Sequence, residues 1–188
     1  FRWGLPQIGG DECPKVRWEK CPRCQARIRQ LGLRDKDGYT AEHYLQGYVT
    51  DRIGKYLAER GRRIIGWDEI LEGQAPSDAI VMSWRGSAGG IKAAKLGHDV
   101  IMTPNSHFYF DYYQSPDADA EPFGIGGCVT IDKVYSFDPM ADLTPGQQAH
   151  ILGVQANLWT EYIASDDHLE YMLLPRLAAL SEVQWCQP

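Results

Sequence analysis

The sequence predicts an α/β protein built on a parallel sheet, and three observations carry that prediction. Short apolar runs alternate with amphipathic stretches along the 188 residues. The intervening stretches have helical spacing and end at glycines, as crossover helices do. Carboxylates and large aromatics recur just after the apolar runs, where parallel α/β sheets gather their chemistry at the carboxyl ends of strands.

The predicted strands are residues 5–8, 63–66, 79–83, 99–103 and 151–155. Between the first two, a helix opens at Thr40, with Tyr44, Leu45, Tyr48, Val49, Ile53, Tyr56 and Leu57 at helical spacing and Gly61 as its stop. A shorter helix covers residues 90–96 and stops at Gly97. A last one follows Asp166, with Leu169, Met172, Leu173, Leu177, Leu180 and Val183 as its inward stripe and Pro175 at a first turn or a kink. Residues 105–146, rich in Gly, Pro and aromatics, read as an elaborate loop, so residues 1–188 form one portion of one domain.

Composition narrows the function classes. With 44% hydrophobic and 23% charged residues the chain has an ordinary globular composition, which excludes a disordered or collagenous chain. Nineteen Lys and Arg against 25 Asp and Glu give a net charge of −6, with no basic cluster to grip nucleic acid. No apolar stretch approaches the roughly 18 residues of a membrane span, and residues 1–10 lack a signal-peptide pattern. Neither GxGxxG nor GxxxxGK[ST] occurs, so no phosphate cradle is expected.

Cys13, Cys21 and Cys24 leave three readings open: thiolate ligands of a zinc site, a local disulfide, or free thiols. A zinc site lacks a fourth ligand at usable spacing, and the five histidines share no metal-ligand spacing, so no metal is expected. His107, near Tyr109, is a candidate for lining the site.

The chemistry gathers after the strands. Gly9-Gly10-Asp11-Glu12 follows the first, Trp67-Asp68-Glu69 the second and Trp84-Arg85 the third; Tyr109-Phe110-Asp111 lies beyond the fourth, and Asn157-Leu158-Trp159-Thr160-Glu161 follows the fifth. Indole faces stack on the C–H face of a pyranose and carboxylates accept hydrogen bonds from its hydroxyls, so these residue types suit a carbohydrate. Asp11 and Glu12 are the sharpest pair. A partly buried Glu12 would protonate a leaving-group oxygen, which as general acid catalysis is worth roughly 10²–10⁴-fold. The paired glycines would let backbone approach the ligand. Asp68-Glu69 has a plainer reading as a helix cap. Trp3, Trp18 and Trp185 have no strand-end placement and are assigned to packing.

At Ile8-Gly9-Gly10-Asp11-Glu12 the sequence resembles the family 20 glycoside hydrolases, the β-N-acetylhexosaminidases. Gly66-Trp67-Asp68-Glu69, Ser83-Trp84-Arg85-Gly86, Tyr109-Phe110-Asp111 and residues 155–161 agree with that family in the same order, as do residues 134–139 and 175–185. The resemblance implies a (β/α)8 TIM barrel, of which this chain supplies about the last five strands. It also implies a substrate-assisted retaining reaction on terminal β-linked GlcNAc or GalNAc, needing no cofactor and no metal. In that reaction the sugar's 2-acetamido oxygen attacks its own anomeric carbon. The resemblance gives Glu12 the role of acid and then base, Asp11 that of orienting the acetamido group, and Tyr109 that of donating to its oxygen. Trp67, Trp84 and Trp159 would wall the sugar, and Asp111 and Glu161 would bind ring hydroxyls.

Gln7 stands where the family carries a histidine, and strands contributing an arginine and other site residues have no counterpart here. Two outcomes are therefore expected of the isolated chain: inactivity, and association with the other half of a barrel or with itself, because open strand edges are exposed. A secreted, periplasmic or lysosome-like location is implied by resemblance alone. The alternative is a non-catalytic sugar-binding or scaffold protein derived from such a barrel.

Overall fold

Parallel pairing in sequence order organises the chain. The structure is a computed structural model that describes residues 5–186. Strands β1 (Ile65–Trp67), β2 (Ile80–Ser83), β3 (Val100–Met102) and β4 (Ile151–Val154) form one sheet in the order β1-β2-β3-β4, every pair parallel. The register shifts by one residue between Val100 and Ile101, a bulge that re-aims the end of β3 against β4.

The first predicted strand is reduced to a single bridge, Gln7 to Ile65, parallel and on the far side of β1. Three backbone bonds still seat it there: Ile8 N–H to Ile65 (2.9 Å), Ile65 N–H to Pro6 (3.1 Å) and Trp67 N–H to Gly9 (3.0 Å). Pro6 has no N–H to give, and Gly9 and Gly10 leave extended geometry with φ of +71° and +101°, so regular pairing stops within a few residues. The second strand also begins two residues later than expected.

Both faces of the sheet are apolar, as a parallel sheet requires. Alternation along each strand divides them. Ile64, Val81, Val100 and Met102 enter the main core with Ile70, Phe108, Phe110, Val129, Val134, Ala179 and Leu180. Ile65, Trp67, Ile80 and Met82 form a second cluster, with Trp84 and Ile101 packed against it.

Helices α1 (Val16–Lys20) and α2 (Pro22–Leu31) fill a region for which no element was predicted. Pro22 at the start and Gly32 in a left-handed C-terminal turn mark α2 as a helix. Helix α3 (Ala41–Ala58) opens where predicted, with Thr40 and His43 forming a reciprocal cap. Helix α4 (Ala88–Lys95) follows β2, and Gly97 at φ +85° turns the chain into β3. Residues 105–146 contain only short turns of helix: α5 (Asn105–Phe108), α6 (Ile131–Tyr135), α7 (Pro145–Gln148) and a 3₁₀ turn at Ala118–Ala120.

The last predicted helix is two, α8 (Asp166–Leu173) and α9 (Arg176–Trp185). Between them Leu174 is extended (φ −99°, ψ 141°), the geometry imposed on a residue before proline, and its bond to Pro175 is cis. Trp185, assigned to packing, is instead 86% exposed at the end of α9, and Trp3 lies outside the described residues. Trp185 flanks an open groove along the free side of β4, lined also by Met140, Leu152 and Val183. Among the described residues, no helix is long and apolar enough to cross a membrane.

Candidate active site

The strand ends bring together most of the residues singled out above. Trp67, the last residue of β1, is buried and lies 6.2 Å from Trp159 between ring centroids. Trp159 meets Tyr109 edge-on at 6.3 Å, and Tyr109 stacks on Trp84 at 6.3 Å with an interplanar angle of 17°. The four rings thus form one continuous aromatic wall across the carboxyl ends of β1 to β4, with Trp159 its exposed member.

The Trp84 ring is held from behind. The Trp84 indole N–H donates to Glu69 Oε2 (2.9 Å), and the backbone N–H groups of Trp84 and Arg85 both donate to Asp68 Oδ2 (3.0 and 3.2 Å). Arg85 returns its Nε to Asp68 Oδ1 (2.6 Å) and its Nη2 to Glu72 Oε1 (2.7 Å). Asp68 and Glu69 therefore begin a 3₁₀ turn (Asp68–Glu72) and brace the tryptophan, a larger task than capping a helix. Burial pushes the Glu69 carboxyl above its ordinary value, opposed by the Trp84 N–H. The carboxylates around Arg85 hold its guanidinium above its already high value despite burial.

Tyr109 pairs its backbone with Asn157 beyond β4. Asn157 is buried and fixed on both sides, donating to Thr103 Oγ1 and accepting from Gln155 (both 2.8 Å). Burial raises the Tyr109 phenol to about 12, so it keeps its proton and remains a donor near neutral pH. Asp111 is 6% exposed, and its Oδ1 has no hydrogen-bond partner among the described residues. A buried acceptor without a donor is uncommon. Burial pushes the Asp111 carboxyl up, backbone N–H groups of Asp111 and Trp159 oppose that, and the nearby charge of Glu161 adds to it. Glu161 itself is exposed.

Arg176 carries a role that the sequence reading missed. It is wholly buried at the start of α9 and donates to the carbonyls of Phe110 (2.7 Å) and Tyr112 (2.9 Å), one on each side of Asp111. A third bond goes to Val129 (3.0 Å), and the guanidinium lies 4.8 Å from the Phe110 ring. The signal in the sequence was a lone arginine inside an apolar helix stripe, which needs acceptors when buried.

The acid pair sits at the rim. Glu12 is exposed, contrary to the partial burial expected, and lines an open cleft of about 510 Å³ with Gly10, His43, Glu69, Trp84 and Arg85. Trp84 is the shared member, facing the cleft and stacking on Tyr109. Asp11 is half-buried, and a Cβ built on Gly9 would lie 3.5 Å from its Oδ1. A Cβ on Gly10 would meet Ile70 Cγ2 at 2.5 Å, so glycine there lets the loop pack on Ile70 while Gly10 also lines the cleft. Gln7 secures the same loop, accepting the Gly9 N–H at 3.0 Å. His107 is not in the site; it packs on Phe137 at 5.1 Å, and burial, with Lys133 nearby, lowers its pKa. No group of three or more metal-ligating side chains gathers among the described residues, and the cysteines are free.

Comparison with known proteins agrees with this arrangement. The family model described as glycosyl hydrolase family 20, catalytic domain, matches residues 4–188. A β-hexosaminidase of Porphyromonas gingivalis is 48% identical over 180 residues, covering 95% of this chain and 22% of that protein. One from Vibrio furnissii is 32% identical over 93% of the chain and 28% of its own length. The chain thus spans about a quarter of these relatives. Among solved structures, an exo-β-N-acetylglucosaminidase from Vibrio harveyi in complex with N-acetylglucosamine superposes with a TM-score of 0.84 at 30% identity, over 100% of this chain and 29% of that one. The four-stranded sheet is an arc of the TIM barrel that such catalytic domains form. By its match to the family model and its likeness to these relatives, the chain belongs to glycosyl hydrolase family 20, within the catalytic domain.

Proposed function

We propose that the protein containing this chain hydrolyses terminal β-linked N-acetylhexosamine, using the substrate's own acetamido group as nucleophile. The observation that carries this reading is the aromatic wall of Trp67, Trp159, Tyr109 and Trp84, with a protonated phenol and an unpartnered Asp111 oxygen set into it. A flat apolar wall of this kind suits an acetamido methyl and a pyranose face, and the phenol suits the acetamido oxygen.

In the reaction the acetamido oxygen attacks C1, the bond from C1 to the leaving oxygen breaks, and Glu12 delivers its proton to that oxygen. The oxazolinium so formed is then opened by water, from which Glu12 recovers the proton, and the anomeric configuration is retained. Asp11 offers a carboxylate to the acetamido N–H, which becomes more acidic as positive charge grows on the ring. Asp111 and Glu161 accept sugar hydroxyls. An intramolecular nucleophile held in line has an effective molarity of about 10⁵ M or more, so no protein nucleophile is required.

Glu12 is exposed at an open cleft in this chain, and in this reading the rest of the barrel would supply the remaining wall. Activity is accordingly a property of the whole catalytic domain, and the isolated chain is expected to be inactive. The test is hydrolysis of a chromogenic N-acetyl-β-glucosaminide by the whole protein. Glu12→Gln should reduce turnover by roughly 10²–10⁴-fold. Sugar binding with no turnover in the unsubstituted protein would instead favour a carbohydrate-binding role.

A further inference from the structure

The cysteine pair beside the acid loop takes no part in the sugar chemistry. Cys21 is the N-cap of α2 and Cys24 lies within its first turn. Side chains three positions apart lie on one face of a helix, with Cβ atoms about 5–6 Å apart. Cys21 stands just outside the helix in extended geometry (φ −84°, ψ 115°), where its side chain can swing toward Cys24. Both thiols are free and half-buried, and they stand three positions apart at the start of one helix. A metal does not account for them, since no third ligand joins them among the described residues.

The two sulfurs are not equivalent. The backbone N–H of Cys24, and then its thiol, donate to the Cys21 sulfur and hold the Cys21 pKa below the ordinary thiol value. Cys24, as the partner in that thiol hydrogen bond, is raised. A thiolate attacks disulfides and a thiol does not, so the pair has an attacking and a resolving member.

We propose that Cys21 and Cys24 form a reversible dithiol–disulfide site that exchanges with small disulfides such as oxidised glutathione. The Cys21 thiolate attacks one glutathione sulfur, the glutathione S–S bond breaks, and one glutathione leaves as thiolate. Cys24 then loses its proton and attacks the Cys21 sulfur, expelling the second glutathione. The dithiol is oxidised by two electrons, one oxidised glutathione becomes two reduced ones, and each departing thiolate takes up a proton.

The surroundings fit a local closure. The Cys21 N–H bonds the Trp18 carbonyl at 3.2 Å, and Gln25 donates to that carbonyl (3.0 Å) and to Glu42 of α3 (2.8 Å). The first turn of α2 is thus already fixed against α1 and α3, so a bond between its two cysteines tightens a corner that exists. Cys13 is separately engaged: its carbonyl accepts from Lys15, which also donates to Gln46 of α3.

The test equilibrates the intact protein in graded glutathione buffers, quenches with acid, alkylates, and reads the peptides by mass. The expected result is loss of two hydrogens from the peptide carrying Cys21 and Cys24, reversed by dithiothreitol, with Cys13 still alkylated. Cys24→Ser should retain glutathione on Cys21, and in the reduced protein Cys21 should alkylate several-fold faster than Cys24. Thiols that stay reduced in excess oxidised glutathione would overturn the proposal, as would a bond from Cys13 to either cysteine. Equal alkylation rates, or glutathione retained on Cys24, would overturn the assignment of the attacking sulfur.

Discussion

Glu12 has φ of +45°, a conformation that costs an L-residue other than glycine about 1–3 kcal/mol and persists only where its surroundings impose it. Gly9 and Gly10 before it also have positive φ, so three of the four residues from Gly9 to Glu12 turn the chain sharply at the tip of the first strand. That turn lifts the acid over the cleft shared with Trp84. Asp111 supplies a different test at the same scale. Burial raises its carboxyl above the ordinary value of 3.8, so the folded protein holds a proton there that the unfolded chain has released. The associated stability is complete below that ordinary value and is lost as pH rises through the raised one. Asp111→Asn has no such proton to lose. Its melting temperature relative to the unsubstituted protein should therefore climb between pH 4 and pH 7 and sugar binding should weaken; a difference that stays flat with pH would contradict the buried, raised carboxyl.

Arg176 shows how one element positions another. From the first turn of α9 it satisfies carbonyls at Phe110, Tyr112 and Val129, fixing the loop that carries Tyr109 and Asp111. Desolvation lowers its pKa to about 10, which leaves it charged at neutral pH. Arg176→Met should cost at least about 3 kcal/mol, because buried carbonyls lose a charged donor. Thermal unfolding should show it as a fall of about 6–12 °C, and a shift within 2 °C would mean that water or backbone replaces the guanidinium at no cost. Elements with strong local signals were legible in the sequence: the Thr40 cap, the glycine after α4 and the apolar runs of β2 and β4 all stand where expected. Those governed by competing local chemistry were not. Pro6 and the two glycines reduce the first strand to one bridge, Pro175 divides the last helix, and the cysteines masked the helix that Pro22 begins. The aromatic wall was legible because three tryptophans each followed a strand. The bracing of Trp84 by Glu69 and Asp68 was not, because a carboxylate after a strand reads equally well as a cap.

At the scale of the molecule, the sheet is an arc whose free sides shape its behaviour. Strand β4 has no further strand beside it among the described residues, and its Leu152 is exposed. An apolar groove between β4 and α9, lined by Ile101, Phe110, Leu173 and Leu180, opens along the same side. Unpaired edges next to apolar surface favour association. The chain produced alone should form dimers or larger species in light scattering, and a monodisperse monomer would contradict that expectation. The central claim, that the substrate's acetamido group does the work of a protein nucleophile, is tested most directly by two chromogenic β-glucosides given to the whole protein. One carries a 2-acetamido group and the other a 2-hydroxyl, with the same leaving group. The account predicts rapid hydrolysis of the first and none of the second above background; comparable rates on both would contradict it.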